Sequence, residues 1–265
     1  MILLSFIAGL IGSIFGLGGG IIIVPVLTIL YDMDAKAAMA VSLVAIAAIS
    51  SASASTLVKN RTANIRIGMM LEIGAAVGAI IGALIALHVQ SWMLAVCFAC
   101  VLIYSAIYMI RRPERVTRSD DPGGVNSFVY HDPRTGEDIN YEVKNIGTGM
   151  LGFVAAGMTS ALSGVGGGTI KIPVMNVHMH IPLRVATATS SYVIGMTAFS
   201  GAVVYLLSGV LDVPVAAVVT IGAFVGSSIG VRLLPRIDTS SLRRYFSVLL
   251  LFLASVMLLN IGGVI

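Results

Sequence analysis

Gly18, Gly19 and Gly20 stand side by side in an apolar run, and Gly166, Gly167 and Gly168 repeat them further along the chain. Three glycines in a row break a helix, at about 1 kcal/mol each relative to alanine. The break leaves main-chain N–H and C=O groups bare. Lipid cannot satisfy such groups, so at membrane depth they persist only inside protein or beside a polar cavity. A short helix that starts at the break turns its N–H groups and positive dipole end towards it. That arrangement can hold a small anion without any charged side chain. The blander alternative is a tight kink for close packing. Nucleotide binding is excluded, because no strand precedes either cluster and no polar helix follows.

A few side chains could complete such a site. Thr169 and Lys171 follow the second cluster directly. A lysine inside a membrane element costs about 2.5–3.5 kcal/mol on insertion scales, so it faces a cavity or a partner, or it snorkels to an edge. Lys171 therefore reads either as a cationic contact for an anionic substrate or as a snorkelling side chain. Ser42 and Ser190 lead the hydroxyl candidates, since they occupy equivalent places in two similar segments. The other hydroxyls there, Ser50, Ser51, Ser53, Ser55, Thr56, Thr187, Thr189, Ser191, Thr197 and Ser200, read as small packing residues. Glu72 reads as an interfacial carboxylate near Arg66, with proton coupling as the rival role. His88, His131, His178 and His180 have no metal spacing, and Cys97 and Cys100 read as packing or lipid-facing residues. No cofactor or metal site is expected. No Ser-His-Asp set or paired carboxylates argue for an enzyme.

The elements that must position these residues come in two copies. GLGGGIIIVPV (Gly16–Val26) returns as GVGGGTIKIPV (Gly164–Val174), 148 residues later. At the same offset Lys36 matches Arg184, Ser42 matches Ser190, and Gly74, Gly78 and Gly82 match Gly222, Gly226 and Gly230. One shift held over so long a stretch indicates duplication. The spaced glycines let helices approach closely. Pro25 and Pro173 each limit the short helix after the glycines.

Composition sets the solvent. The 265 residues are 57% hydrophobic and 11% charged, with a mean hydropathy of +1.00. A soluble domain carries about 25% charged residues, so this is an integral membrane protein. The segment from Arg111 to Asn145 holds six of the sixteen basic and seven of the twelve acidic residues. It divides the chain into a first membrane repeat (1–110), a cytoplasmic linker (111–145) and a second membrane repeat (146–265). Alternating residues around Pro133–Gly136 in the linker suggest a small β-hairpin. The net charge of +4 asks for no nucleic acid.

Long helices are expected at 35–58, 67–87, 92–110, 183–207, 214–234 and 242–262. Residues 2–31 and 146–178 are about 30 long, too short for two full crossings at about 20 residues each. Basic residues gather on cytoplasmic loops. Lys59, Arg61 and Arg66 place one loop there, Arg232, Arg236, Arg243 and Arg244 another, and Arg111, Arg112, Arg115 and Arg118 the linker. Tracing the chain through these points inverts one half relative to the other. It also makes each glycine-broken segment a re-entrant hairpin. The expected fold is an all-α integral membrane protein of two inverted-topology repeats. Each repeat is a glycine-broken helical hairpin plus three transmembrane helices.

The doubled glycine cluster followed by Ile/Val-Pro-Val resembles the sulfite exporter TauE/SafE family, also described as toluene-sulfonate uptake permeases. The resemblance covers both halves but not the charged linker. It implies a multi-pass transporter in a prokaryotic cell membrane that moves sulfite or organosulfonate anions. The motif positions carried over are Gly16, Gly18, Gly19, Gly20, Pro25, Gly164, Gly166, Gly167, Gly168 and Pro173. Lys171 is not a fixed feature of that motif. The mechanism expected is secondary transport by alternating access of two repeats about a central site. An anion channel using the same half-helix ends is the alternative, and a sulfur-relay role for Cys97 or Cys100 is a remote third. The expected partners are the small anion and membrane lipid, and self-assembly stays open.

Overall fold

The computed structural model describes residues 1–59, 62–111, 127–131, 138–233, 251–252 and 254–255. Apart from one small hairpin, the described residues form helices and their connections. Helix α1 (Ile2–Phe15) ends at the glycines, α2 (Gly20–Pro25) begins there, and a single π turn (Val26–Leu30) follows the proline. Long helices α3 (Ala35–Lys59), α4 (Ile65–His88) and α5 (Ser91–Arg111) complete the first half. Strands β1 (Ser127–His131) and β2 (Asp138–Glu142) pair antiparallel, with Phe128 opposite Tyr141. The second half repeats the helices as α6 (Ile146–Ser163), α7 (Gly168–Pro173), a π turn (Val174–His178), α8 (Leu183–Leu207) and α9 (Val213–Leu233). Among the described residues, five helices are long and apolar enough to cross a membrane: α3, α4, α6, α8 and α9. The expected helix at 242–262 falls almost wholly outside the described residues.

Each glycine-broken segment doubles back on itself. In the first, Gly19 lies against Ala8, and the Met1 ammonium donates to the Tyr31 hydroxyl at 2.8 Å. In the second, Gly167 lies against Ala156, Gly152 against Val174, and Asn145 Nδ2 donates to the His178 carbonyl at 3.0 Å. Proline explains why a π turn follows each short helix. Pro25 and Pro173 cannot donate the next helical bond, and the ladder widens locally beyond them.

The two halves exchange contacts element for element. Helix α1 packs on α9 as α6 packs on α4, α3 touches α9 as α8 touches α4, and α3 pairs with α8 at the centre. Glycine makes the outer pairs close. A Cβ on Gly78 would lie 2.1 Å from the Val154 carbonyl oxygen, and one on Gly226 would lie 2.0 Å from that of Phe6. Gly157 and Gly9 are pressed equally hard on Ala75 and Ala223, at 1.9 and 2.1 Å. All four contacts obey the 148-residue offset.

The main core cluster draws on both halves and consists largely of alanine, isoleucine and leucine. A second cluster lies under the β-hairpin, where Tyr130, Tyr141 and Val143 cover Ile67, Met175, Met179 and Ile181. The Tyr141 hydroxyl accepts from Asn64 Nδ2 at 2.8 Å, and Asn64 caps α4 by accepting from the Ile67 N–H at 3.1 Å. Burial pushes the Tyr141 phenol up to about 12, the Asn64 bond pulling the other way. Tyr141 therefore stays a neutral phenol.

Candidate functional site

The backbone at the two breaks takes a conformation that only glycine adopts without strain. Gly16, Gly18 and Gly19 have φ of 71°, 84° and 75°, and Gly164, Gly166 and Gly167 have 68°, 88° and 77°. Three left-handed residues within four positions would be costly for any residue with a Cβ. Gly19 and Gly167 then serve as the N-caps of α2 and α7, and no side chain caps either helix.

The tips of the two hairpins meet. A Cβ on Gly20 would lie 2.2 Å from the Gly164 carbonyl oxygen, and one on Gly168 would lie 2.4 Å from that of Gly16. Serine ties each tip to a helix of the other half. The Ser42 hydroxyl on α3 donates to the Gly164 carbonyl at 2.6 Å, and that of Ser190 on α8 donates to the Gly16 carbonyl at 3.0 Å. Both serines are fully buried. Ile46 and Ile194, another pair at the 148-residue offset, close over Gly18 and Gly166. Gly18, Gly19, Gly20, Gly166, Gly167, Gly168, Ser42 and Ser190 are therefore in one place.

Two hydroxyls beside the second tip have no partner. Thr169 Oγ1 and Ser160 Oγ are buried and make no hydrogen bond. Ser160 stands against Gly167, whose Cβ would meet its own at 3.2 Å. Buried hydroxyls are usually satisfied, so these two retain an unused capacity to donate a hydrogen bond. At the equivalent positions the first half has Ile21 and Gly12.

Lys171 corrects the snorkelling alternative and Glu72 the interfacial one. Both are fully buried. Lys171 Nζ lies 2.7 Å from Glu72 Oε2 and donates to Thr197 Oγ1 at 2.5 Å. The Thr197 N–H donates to Glu72 Oε1 at 2.7 Å, and its hydroxyl contacts the same oxygen. The ammonium also sits over the Phe153 ring, 5.5 Å from its centre. Four helices thus contribute to one charged knot: α4, α6, α7 and α8. Counting depth from Arg66 put Glu72 at an interface, but the second hairpin packs over that stretch of α4. Thr197, expected as a packing residue, holds the carboxylate. The available signal was Lys171 itself, since a buried cation requires a buried anion.

The remaining candidates lie apart. Ser50 donates to the Ser191 and Tyr192 carbonyls, at 2.8 and 3.0 Å, and Ser53 contacts Ser227 at 2.8 Å, so both join helices. Ser51 and Ser200 bond back to their own helices. His178 bonds Thr148 at 2.6 Å at the foot of the second hairpin. Cys97 is half-buried and Cys100 exposed, both as free thiols. Among the described residues no group of histidine, cysteine or carboxylate side chains could hold a metal ion.

The chain is similar over nearly its whole length to proteins from two prokaryotes. It is 27% identical over 261 residues to "Probable membrane transporter protein YunE" of Bacillus subtilis (strain 168), spanning 96% of this chain and 94% of that one. It is 28% identical over 277 residues to "Probable membrane transporter protein MJ0441" of Methanocaldococcus jannaschii, spanning 98% of this chain and 94% of that one. No solved structure matches it. The family model described as "Sulfite exporter TauE/SafE" matches residues 1–257, and the chain belongs to that family of membrane transporters.

Proposed function

We propose that the protein is a secondary transporter of small sulfur-containing anions, sulfite or organosulfonates, in a prokaryotic cell membrane. The observation that carries this reading is the meeting of two uncapped helix starts, α2 and α7, at glycine tips in the middle of the molecule. Sulfite and sulfonates are compact and rich in acceptor oxygens. They suit main-chain N–H groups at helix starts, a few hydroxyls and one ammonium. The substrate residues are Gly18, Gly19, Gly20, Ser42, Gly166, Gly167, Gly168, Thr169, Lys171 and Ser190. The unpartnered Thr169 hydroxyl supports the second tip most directly.

The two repeats, 1–110 and 146–265, lie in opposite orientation in the membrane, with the linker 111–145 on the cytoplasmic side. Their hairpins enter from opposite faces. The doubling back of each segment and the reciprocal contacts between halves support this topology. Rocking of one repeat against the other exposes the tips to each side in turn. Chemistry on the solute plays no part.

Reconstituted protein tests the reading. Vesicles loaded with unlabelled sulfite should take up labelled sulfite by saturable exchange. Flux that neither saturates nor exchanges would indicate a channel, and no flux of sulfite or any small sulfonate would remove the substrate class. Substituting both Lys171→Met and Glu72→Gln removes the ammonium without stranding a carboxylate. It should weaken anion binding roughly 10- to 100-fold, the range for one lost charged hydrogen bond. Thermal shift against the same anions reads the change.

A further inference from the structure

The Lys171–Glu72 pair has no counterpart in the first half. At the 148-residue offset, Lys171 falls on Ile23, Glu72 on Thr220 and Thr197 on Ile49. The first half folds around the same helix contacts without charge there, so the architecture does not require the pair. We propose that Glu72 takes up a proton when the Lys171 ammonium turns to a bound anion, so that each anion travels with one proton. The proposal rests on the anion site described above and adds its coupling.

The chemistry follows from charge balance. With Lys171 on Glu72, the knot is neutral overall and fully buried. An anion at the second tip, the N-terminal end of the short helix that carries Lys171, draws the ammonium away from Glu72. Lys171 keeps its proton throughout. Glu72 is left as a lone carboxylate in a dry interior, where an unpaired charge is neutralised rather than tolerated. A proton from water on the open side adds to Glu72, forming the O–H bond of a neutral acid. The Thr197 hydroxyl can accept that O–H once Lys171 has left, because its oxygen touches Glu72 Oε1 and is the atom to which Lys171 donates in the resting knot. When the anion leaves, Lys171 returns and the proton departs.

No other described charge competes for Glu72. On its own helix α4, Arg66 lies near the start and His88 at the end. Helix α6 carries no titratable group. Helix α7 carries Lys171 alone. Helix α8 offers Arg184 near its start, together with Tyr192 and Tyr205, and the Tyr205 hydroxyl donates to the Ala161 carbonyl at 3.0 Å. Helix α3 holds Lys36 and Lys59 at its two ends.

Methanesulfonate is the probe, because it stays ionised across the neutral range and carries no proton of its own. Titration of purified wild-type protein in two buffers of different ionisation heat should show about one proton taken up per anion bound. Affinity should rise about tenfold for each unit that pH falls, over the range in which Glu72 is ionised in the free protein and protonated in the complex. In vesicles, an inward acid gradient should drive methanesulfonate accumulation. Glu72→Gln mimics the protonated acid. It should bind without proton uptake, with pH-independent affinity, and should not accumulate the anion on a gradient. Binding by wild-type protein with no proton uptake would overturn the coupling and leave the anion site standing. Proton uptake that persists in Glu72→Gln would also overturn it. If wild-type protein neither binds nor carries methanesulfonate or sulfite, the anion site itself fails. The wild-type titration decides the matter even if the variant does not fold.

Discussion

Ser42 and Ser190 each satisfy a carbonyl that ends a helix in the opposite half, Gly164 and Gly16 respectively. Removing either hydroxyl leaves a buried acceptor alone. Ser42→Ala should cost about 1–3 kcal/mol, read as a lower melting temperature in detergent, and Ser190→Ala should cost a similar amount. Loss of anion binding beyond this stability cost would place the hydroxyl on the solute rather than only on the backbone. The residue scale also shows where sequence reading failed. Ser42 and Ser190 were legible because duplication aligned them. Glu72 and Lys171 are 99 residues apart, and no periodicity links them. Only packing of the second hairpin over α4 and α8 brings them together. Thr197 looked like any other small helix residue, because its role comes from its two neighbours.

Helix α4 meets α6, and α1 meets α9, at a separation set by glycine. Both pairs bring a glycine within about van der Waals contact of a facing carbonyl, at Gly78 and Gly226 in equivalent places. A leucine at either position must force the helices apart. Overpacking of this kind costs about 1–3 kcal/mol and occasionally more. Gly78→Leu and Gly226→Leu should therefore destabilise the protein to a similar degree, measured by thermal unfolding in detergent. Gly147, near the start of α6, has no neighbour within reach of a Cβ and no left-handed backbone, so it is the control for glycine as such. The long helices themselves were readable from apolar length, with ends at Lys59, His88 and Leu207 within about two residues of expectation. The π turns after Pro25 and Pro173 were not, because composition reports that a ladder is interrupted but not how it widens.

At the scale of the whole molecule, a repeated chain has built a body of two exchangeable halves with an unequal interior. The constant offset made the duplication visible, and reciprocal packing of α1 with α9 and α6 with α4 follows it. The inequality was visible only as Lys171 standing where Ile23 stands in the other half. If the halves rock as proposed, symmetry of contacts would give the two arrangements similar energy. Charge is not symmetric: the buried Lys171–Glu72 pair has no charged counterpart at Ile23 and Thr220, the equivalent positions. At the join of the halves stand Ile46 and Ile194, one from each central helix, both wrapped around the glycine tips. Two branched hydrocarbon side chains are a thin insulator. Trimming both, as Ile46→Ala with Ile194→Ala, should cost about 2–5 kcal/mol of stability per site. It should also turn a tight carrier into a leaky one, seen as passive proton or chloride current through protein-loaded vesicles with no substrate added. On the proposed mechanism, the electrical tightness of the barrier would rest on a few methyl groups at the point where the duplicated halves touch.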